Sequence, residues 1–281
     1  MSRLKIRLLG SFKARFEGAP ITNFDSNKVR ALLAYLAVES DRAHSRDKLA
    51  DLLWPEMPAK RAGSNLSQAL YNLRIMFQEH QSQTPYLLRS HKAVQFNPGS
   101  DYWLDVQAFS DYLADGNLES LSLLENRAGY CQRLEAVVDL YRGDFLAGLD
   151  FDSSLNFDEW VMVVRQRLQR QALQALHLLA EYHAERGELA EALPYAWRQV
   201  ELDPLDEASC RQLMSLLAAS DQRSQALSQF EHLQVMLAQE LAVAPDAETL
   251  ALRDRIRGDG HLPAQRSTSR DNLPALLTPL V

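Results

Sequence analysis

Between Met57 and Gln78 the sequence contains no aspartate or glutamate, and within that stretch Leu66, Leu70, Leu73 and Phe77 recur at offsets of 0, 4, 7 and 11. Side chains at this spacing share one face of an α-helix, so the stretch predicts an amphipathic helix that begins after Pro58 and runs to about Glu79. The opposite face carries Arg61, Ser64, Asn65, Gln68, Tyr71 and Asn72, with Lys60 and Arg61 at its start. An ordinary solvated helix of this length holds several acidic groups. Their absence, next to hydroxyl and amide side chains that bond base edges and two cations suited to phosphate, points to a surface that meets duplex DNA.

The residues around this helix set its context. Leu4, Ile6 and Leu8 alternate, Gly10-Ser11 breaks the run, and Phe12, Ala14 and Phe16 resume it, which predicts a strand pair. Gly18-Ala19-Pro20 is turn chemistry, followed by a short strand at Ile21–Phe24. Lys28–Val38 sets Val29, Leu32, Leu33, Leu36 and Ala37 on one helical stripe. Ser45 is placed to cap a second helix, Arg46–Leu53, which Trp54-Pro55 stops. After the third helix, Tyr86–Arg89 and Ala93–Phe96 flank the polar tip Ser90-His91-Lys92 and read as a hairpin. Strands, three helices and a terminal hairpin are the order of a winged helix-turn-helix with an N-terminal antiparallel sheet, a fold that lays its third helix in the major groove.

Charge divides the chain at Leu104. The whole sequence has a net charge of −7, but residues 1–104 hold 15 Lys and Arg against 9 Asp and Glu, a net +6, whereas residues 105–281 hold 15 against 28, a net −13. A basic module followed by an acidic one assigns phosphate contact to the first and repulsion from DNA to the second. With 46% hydrophobic and 24% charged residues and no apolar run of membrane-spanning length, the composition is that of a globular protein that does not cross a membrane. Charges interrupt the apolar residues of the N-terminus, so no signal peptide is read there and the expected compartment is the cytoplasm.

Beyond Asp105 the composition turns helical, with almost no strand signal before Val243. Leu104–Ala114, Leu118–Leu124, Tyr130–Tyr141 and the long Phe157–Arg186 read as helices, with Arg142-Gly143-Asp144-Phe145 as a connector. Gly187-Glu188-Leu189-Ala190-Glu191-Ala192-Leu193 aligns with Asp221-Gln222-Arg223-Ser224-Gln225-Ala226-Leu227 at an offset of 34 residues, the tetratricopeptide period. Asp203-Pro204 ends the second helix of the first copy, and the corresponding helix of the second copy runs on to about Leu241 before Pro245. The expected organisation is a winged-helix domain over 1–104, an all-α, tetratricopeptide-like domain over 105–257, and a Gly, Pro, Ser and Thr-rich linker over 258–281 that leads toward a further domain.

These residues resemble the Streptomyces antibiotic regulatory protein type of bacterial regulator, an OmpR/PhoB-like winged helix followed by a bacterial transcriptional activator domain. The resemblance spans roughly residues 4–257. It rests on Leu8-Leu9-Gly10, on Leu49-Ala50-Asp51-Leu52-Leu53-Trp54-Pro55, and on the run Asn65-Leu66-Ser67-Gln68-Ala69-Leu70-Tyr71-Asn72-Leu73-Arg74. In the second half it rests on Tyr141-Arg142-Gly143-Asp144-Phe145-Leu146, Glu159-Trp160-Val161, Arg165 to Leu168, Leu202-Asp203-Pro204-Leu205-Asp206-Glu207 and Gln225-Ala226-Leu227. By that resemblance Ser64, Asn65, Gln68, Tyr71 and Asn72, with Arg74 closing the motif, lie on the DNA-reading helix, and Arg89 and Lys92 lie on the wing. The wing departs from the pattern in having no glycine between Tyr86 and Asn97. The resemblance implies a transcription activator that binds promoter DNA, with a homodimer on direct repeats as one arrangement, and that contacts RNA polymerase or another protein through its helical domain.

No catalytic motif, cofactor site or metal site is read from the sequence. It contains no phosphate-binding Gly-x-x-x-x-Gly-Lys loop, no His-Glu-x-x-His and no Gly-x-Ser-x-Gly. Gly258-Asp259-Gly260 reads as a helix stop, and His177 and His183, six apart, do not share a helix face. Cys131 and Cys210 read as buried thiols, Asp25 and Asp51 lack a partner base, and Trp54, Trp103, Trp160 and Trp197 read as packing residues. No receiver domain precedes residue 4, so phospho-aspartate control within the chain is not expected. The alternative is a protein-interaction adaptor whose helical repeat binds a partner and whose winged helix is no DNA reader; salt-dependent duplex binding separates the two.

Overall fold

The structure, a computed structural model, describes residues 2–79, 84–114, 127–149 and 155–258. The helix expected at Leu118–Leu124 and the linker after Gly258 lie outside the described residues. By its contacts the chain divides into two compact units, Met1–Tyr182 and His183–Val281.

The first unit opens with a four-stranded sheet in the order β4-β3-β1-β8. Strand β1 (Leu4–Arg7) pairs antiparallel with β3 (Lys13–Phe16), matching Leu4 to Phe16 and Ile6 to Ala14, so the alternating apolar residues fall on one buried face. The short strand expected at Ile21–Phe24 is found instead at β4 (Ala19–Pro20), after a turn in which Glu17 and Gly18 take positive φ. Proline has no ladder N–H to give, which suits β4 to the edge it occupies. Strand β8 (Tyr102–Leu104) lies parallel to β1 on the other side.

Strand β2 (Gly10–Ser11) leaves that sheet and pairs with β9 (Phe145–Ala147), a strand that starts in the stretch expected to be a connector between helices. Two motif segments far apart in sequence meet here. The Gly10 N–H donates to Asp144 O at 3.1 Å and the Leu146 N–H to Leu8 O at 2.8 Å. Gly10 takes φ +97° and Gly143 φ +151°, and a Cβ built on Gly143 would lie 3.6 Å from the Gly10 Cα. Glycine is favoured at Gly10 because its backbone is left-handed, a conformation that L side chains rarely adopt. Strand propensity was too weak in Arg142-Gly143-Asp144-Phe145 to announce this pairing, which depends on the partner 130 or so residues away.

Three helices follow the sheet. Helix α1 (Asn27–Val38) buries Val29, Leu32, Leu33, Leu36 and Ala37, α2 (Arg46–Leu53) buries Leu49, Ala50 and Leu53, and α3 (Ala59–Met76) buries Ala62, Leu66, Ala69, Leu70 and Leu73. Each fully buried leucine of that stripe contributes about 2 kcal/mol of hydrophobic stabilisation. Ser45 occupies the N-cap position of α2, but its side chain makes no capping bond; the first N–H of the helix, that of Arg46, goes to Lys92 O at 3.0 Å. The hairpin β6 (Leu87–Arg89) and β7 (Ala93–Phe96) joins β5 (His44–Ser45) in a three-stranded sheet of order β5-β7-β6. A winged helix with an N-terminal sheet is the result.

Helices α4 (Asp105–Ala114), α5 (Arg127–Leu140) and the long α6 (Leu155–Glu185) complete the helical part of this unit. Asp105, the first residue of α4, is buried and accepts the N–H groups of Leu8, Leu9 and Val106, each at 2.9 Å. Trp160 on α6 donates from Nε1 to Glu39 at 2.9 Å and packs against Tyr35, Phe145 and Phe157. The contacts thus group the start of the expected helical domain with the winged helix.

The second unit holds α7 (Leu189–Leu202), α8 (Glu207–Ala219), α9 (Arg223–Glu240) and α10 (Ala247–Gly258), with α8 packed on both α7 and α9 and α10 against α8 and α9. Helices α7 and α9 carry the two copies of the 34-residue repeat, and their small residues Ala192 and Ala226 are fully buried. Asp206 caps α8 by accepting the Ser209 N–H at 3.0 Å, and Asp246 caps α10 through the Thr249 N–H at 2.7 Å. Gln199 on α7 is buried and donates to Gln212 on α8 at 2.7 Å, which satisfies a polar group inside the helix pair. Among the described residues no helix is long and apolar enough to cross a membrane.

Candidate nucleic-acid interface

The surface of α3 that its leucine stripe leaves outward consists of Lys60, Arg61, Ser64, Ser67, Gln68, Tyr71 and Ile75, all exposed. Tyr71 and Ile75 are each 54% exposed, large apolar groups one turn apart on an otherwise polar face. Asn65, Asn72 and Arg74 are half-buried at its margins. Each has an intramolecular partner. Asn65 Nδ2 donates to Met57 Sδ at 3.0 Å, Asn72 Nδ2 donates to Asp25 Oδ2, and Arg74 Nε donates to Glu79 Oε2 at 2.9 Å. The hydroxyls turn back on the helix itself, Ser64 to Lys60 O and Ser67 to Gly63 O.

The wing carries the other two expected residues. Arg89 is exposed on β6, and Lys92 is exposed at the tip. Without a glycine, the tip is closed by Ser90, whose N–H donates to Ala93 O at 2.8 Å and whose hydroxyl accepts the N–H groups of Lys92 and Ala93. A serine side chain mimics the missing turn of backbone in this way.

Two residues that the sequence reading left out tie the wing to the helices. Arg46 gives its backbone N–H to Lys92 O and its guanidinium to Ser67 Oγ at 2.8 Å, so one residue joins the wing tip to α3. Glu79, buried after the end of α3, accepts the Leu87 N–H with Oε1 at 2.8 Å and pairs with Arg74 through Oε2. Arg46 had no local signal beyond being the first residue of a helix, because its role depends on pairing of β5 with β7. Lys60, Arg61, Gln68, Tyr71, Arg89 and Lys92 remain outward-facing, while Arg74 spends its charge on a buried carboxylate. Cation, amide and aromatic side chains on one helix beside a basic hairpin can bond phosphates and base edges together.

A winged helix with an acid-free third helix, continued by helices that include a 34-residue repeat, defines the class of winged-helix transcription regulators. Residues 104–257, more than half of the 281, match the model of the family described as the bacterial transcriptional activator domain, and the chain belongs to that family. It groups with the Streptomyces antibiotic regulatory protein type, whose named members here are transcriptional regulators.

The relatives agree in kind. Over 263 residues the chain is 26% identical to the regulatory protein AfsR of Streptomyces griseus, covering 92% of this chain and 25% of AfsR. Over 258 residues it is 24% identical to the regulatory protein DnrI of Streptomyces peucetius, covering 90% of this chain and 92% of DnrI. The chain therefore spans about a quarter of AfsR and nearly all of DnrI. Among solved structures, Mycobacterium tuberculosis EmbR, in complex with a low affinity phosphopeptide, superposes with a TM-score of 0.70 at 23% identity, covering 94% of this chain and 67% of that one. That likeness establishes the shared fold.

Proposed function

We propose that the protein is a cytoplasmic, sequence-specific duplex-DNA-binding transcription activator that lays α3 in the major groove and its β6–β7 wing beside the phosphates. The observation that carries this reading is the outward face of α3, where Lys60, Arg61, Gln68 and Tyr71 stand exposed with no acidic residue on the helix. In this reading Lys60, Arg61, Arg89 and Lys92 neutralise phosphates, and Ser64, Asn65, Gln68 and Asn72 face base edges. Tyr71 and Ile75 offer apolar surface to sugars or a thymine methyl group. Arg46 adds a phosphate contact between wing and helix, while Arg74 contributes less because Glu79 already neutralises it. In this reading residues 105–257 serve protomer or RNA polymerase contacts, and the protein acts as a homodimer on direct repeats.

Selection of random duplexes on residues 1–260 tests the reading. A recovered motif that repeats at fixed spacing supports it and reports the protomer arrangement. The absence of any enriched motif contradicts it and leaves the helical repeat as a protein-interaction adaptor.

A further inference from the structure

On α3, Gln68 Nε2 donates to Asn72 Oδ1 at 3.0 Å, and Asn72 Nδ2 donates in turn to Asp25 Oδ2 in the segment before α1. The order of this relay is set at one end. An ionised carboxylate only accepts hydrogen bonds, so Asn72 must turn its amide nitrogen to Asp25 and its amide oxygen to Gln68. That oxygen also only accepts, so Gln68 must in turn present an N–H to Asn72. Among the described residues Gln68 makes no other hydrogen bond, which leaves Oε1 as an acceptor and the second Nε2 hydrogen as a donor.

We infer that Asp25, through Asn72, fixes which end of the Gln68 amide faces outward, and that Gln68 therefore selects adenine at the base pair it meets. The inference rests on the reading that α3 enters the major groove. One acceptor beside one donor matches the N6 amino group and N7 of adenine. Guanine presents two acceptors, O6 and N7, and sets its O6 against Oε1. Asp25 is thus a positioning residue, and a costly one for affinity, since its exposed carboxylate lies on a surface meant for phosphates.

Replacing the carboxylate by an amide removes the constraint. In Asp25→Asn either end of the new amide can meet Asn72, so both Asn72 and Gln68 can reverse and offer two donors, the pattern guanine requires. The experiment is duplex selection with the full chain in wild-type, Asp25→Asn, Asp25→Glu and Gln68→Ala forms, followed by titration of the selected duplex and its A·T to G·C replacements. Wild type and Asp25→Glu are expected to prefer adenine at one position by roughly ten- to a hundredfold, the worth of a good bidentate pair. Asp25→Asn is expected to bind all duplexes more tightly while its preference at that position alone falls to about threefold or less and guanine appears. Gln68→Ala loses the preference at the same position. An Asp25→Asn protein that keeps the wild-type preference, or that changes a different position from Gln68→Ala, overturns this inference alone. Failure of the wild type to enrich any duplex overturns it together with the reading of α3.

Discussion

Glu79 holds the Leu87 N–H at 2.8 Å with one carboxylate oxygen and Arg74 at 2.9 Å with the other, so a single buried side chain joins the end of α3 to the first strand of the wing. The pair is a clasp between the two elements that would meet DNA. Glu79→Ala leaves a buried backbone donor without an acceptor and a guanidinium without its partner. Such a loss costs about 1–3 kcal/mol, and more where the donor is charged. Denaturant unfolding of Glu79→Ala is expected to show a loss of that size, with the smaller loss in Arg74→Ala because Arg74 is one-third exposed and water replaces part of its pairing. Equal losses in the two variants would mean that the Leu87 bond contributes nothing.

Asp105 is the corresponding joint on the other side of the winged helix. Burial pushes its carboxyl above the usual range, against the opposing effect of N–H bonds from Leu9, Leu8 and Val106. A folded-state value above the unfolded one means that the native protein binds this proton more tightly. Its contribution to stability is therefore full below the unfolded value, near 4, and is lost as pH rises through the folded value. Asp105→Asn, which does not titrate, is expected to lose about 2 kcal/mol because its amide nitrogen faces donors. The difference between the two proteins is expected to be largest at the acid end and to shrink toward neutrality. A difference that grows with pH would reverse the assigned shift.

Trp160 offers a packing test. Trp160→Phe keeps most of the aromatic contact with Tyr35, Phe145 and Phe157 and removes the indole N–H from one oxygen of Glu39, whose other oxygen keeps Arg42, for a cost of about 1 kcal/mol. Trp160→Ala adds a cavity and is expected to cost about 3–5 kcal/mol. Thermal unfolding followed by near-ultraviolet dichroism measures both, and an alanine variant no worse than the phenylalanine one would contradict the packing account.

Cys210 is buried on α8 and its thiol is pushed up to about 12, chiefly by burial and then by Glu207. Alkylation by iodoacetamide at mildly alkaline pH is expected to be slow in the native protein and fast in denaturant, since only the thiolate reacts. Rapid native labelling at Cys210, located by peptide mapping, would show that α8 opens readily.

Much of the architecture is legible in the sequence where one element decides its own fate. The Leu66, Leu70, Leu73 and Phe77 stripe, the Arg46–Leu53 helix and the Ala93–Phe96 strand fall where period and punctuation put them, because burial of a local apolar face suffices to fix them. Strand β9 and the shift of the short strand to Ala19–Pro20 were not legible, since each depends on a partner supplied from elsewhere. The candidate interface divides in the same way. That Arg61, Gln68 and Tyr71 point outward follows from helical spacing. That Asn65 turns to Met57, Asn72 to Asp25 and Arg74 to Glu79 follows only from which side chains tertiary packing brings within reach.

The central claim is that α3 and the wing together contact duplex DNA, and the salt dependence of binding tests it most directly. Titration of a selected duplex at several salt concentrations, with wild type, Arg61→Ala and Lys92→Ala, is expected to give a steep negative slope. Each substitution is expected to weaken binding to all duplexes alike and to reduce that slope by about 0.9, the release of one phosphate's counterion. Unchanged affinity and unchanged slope in both variants would remove α3 and the wing from the interface.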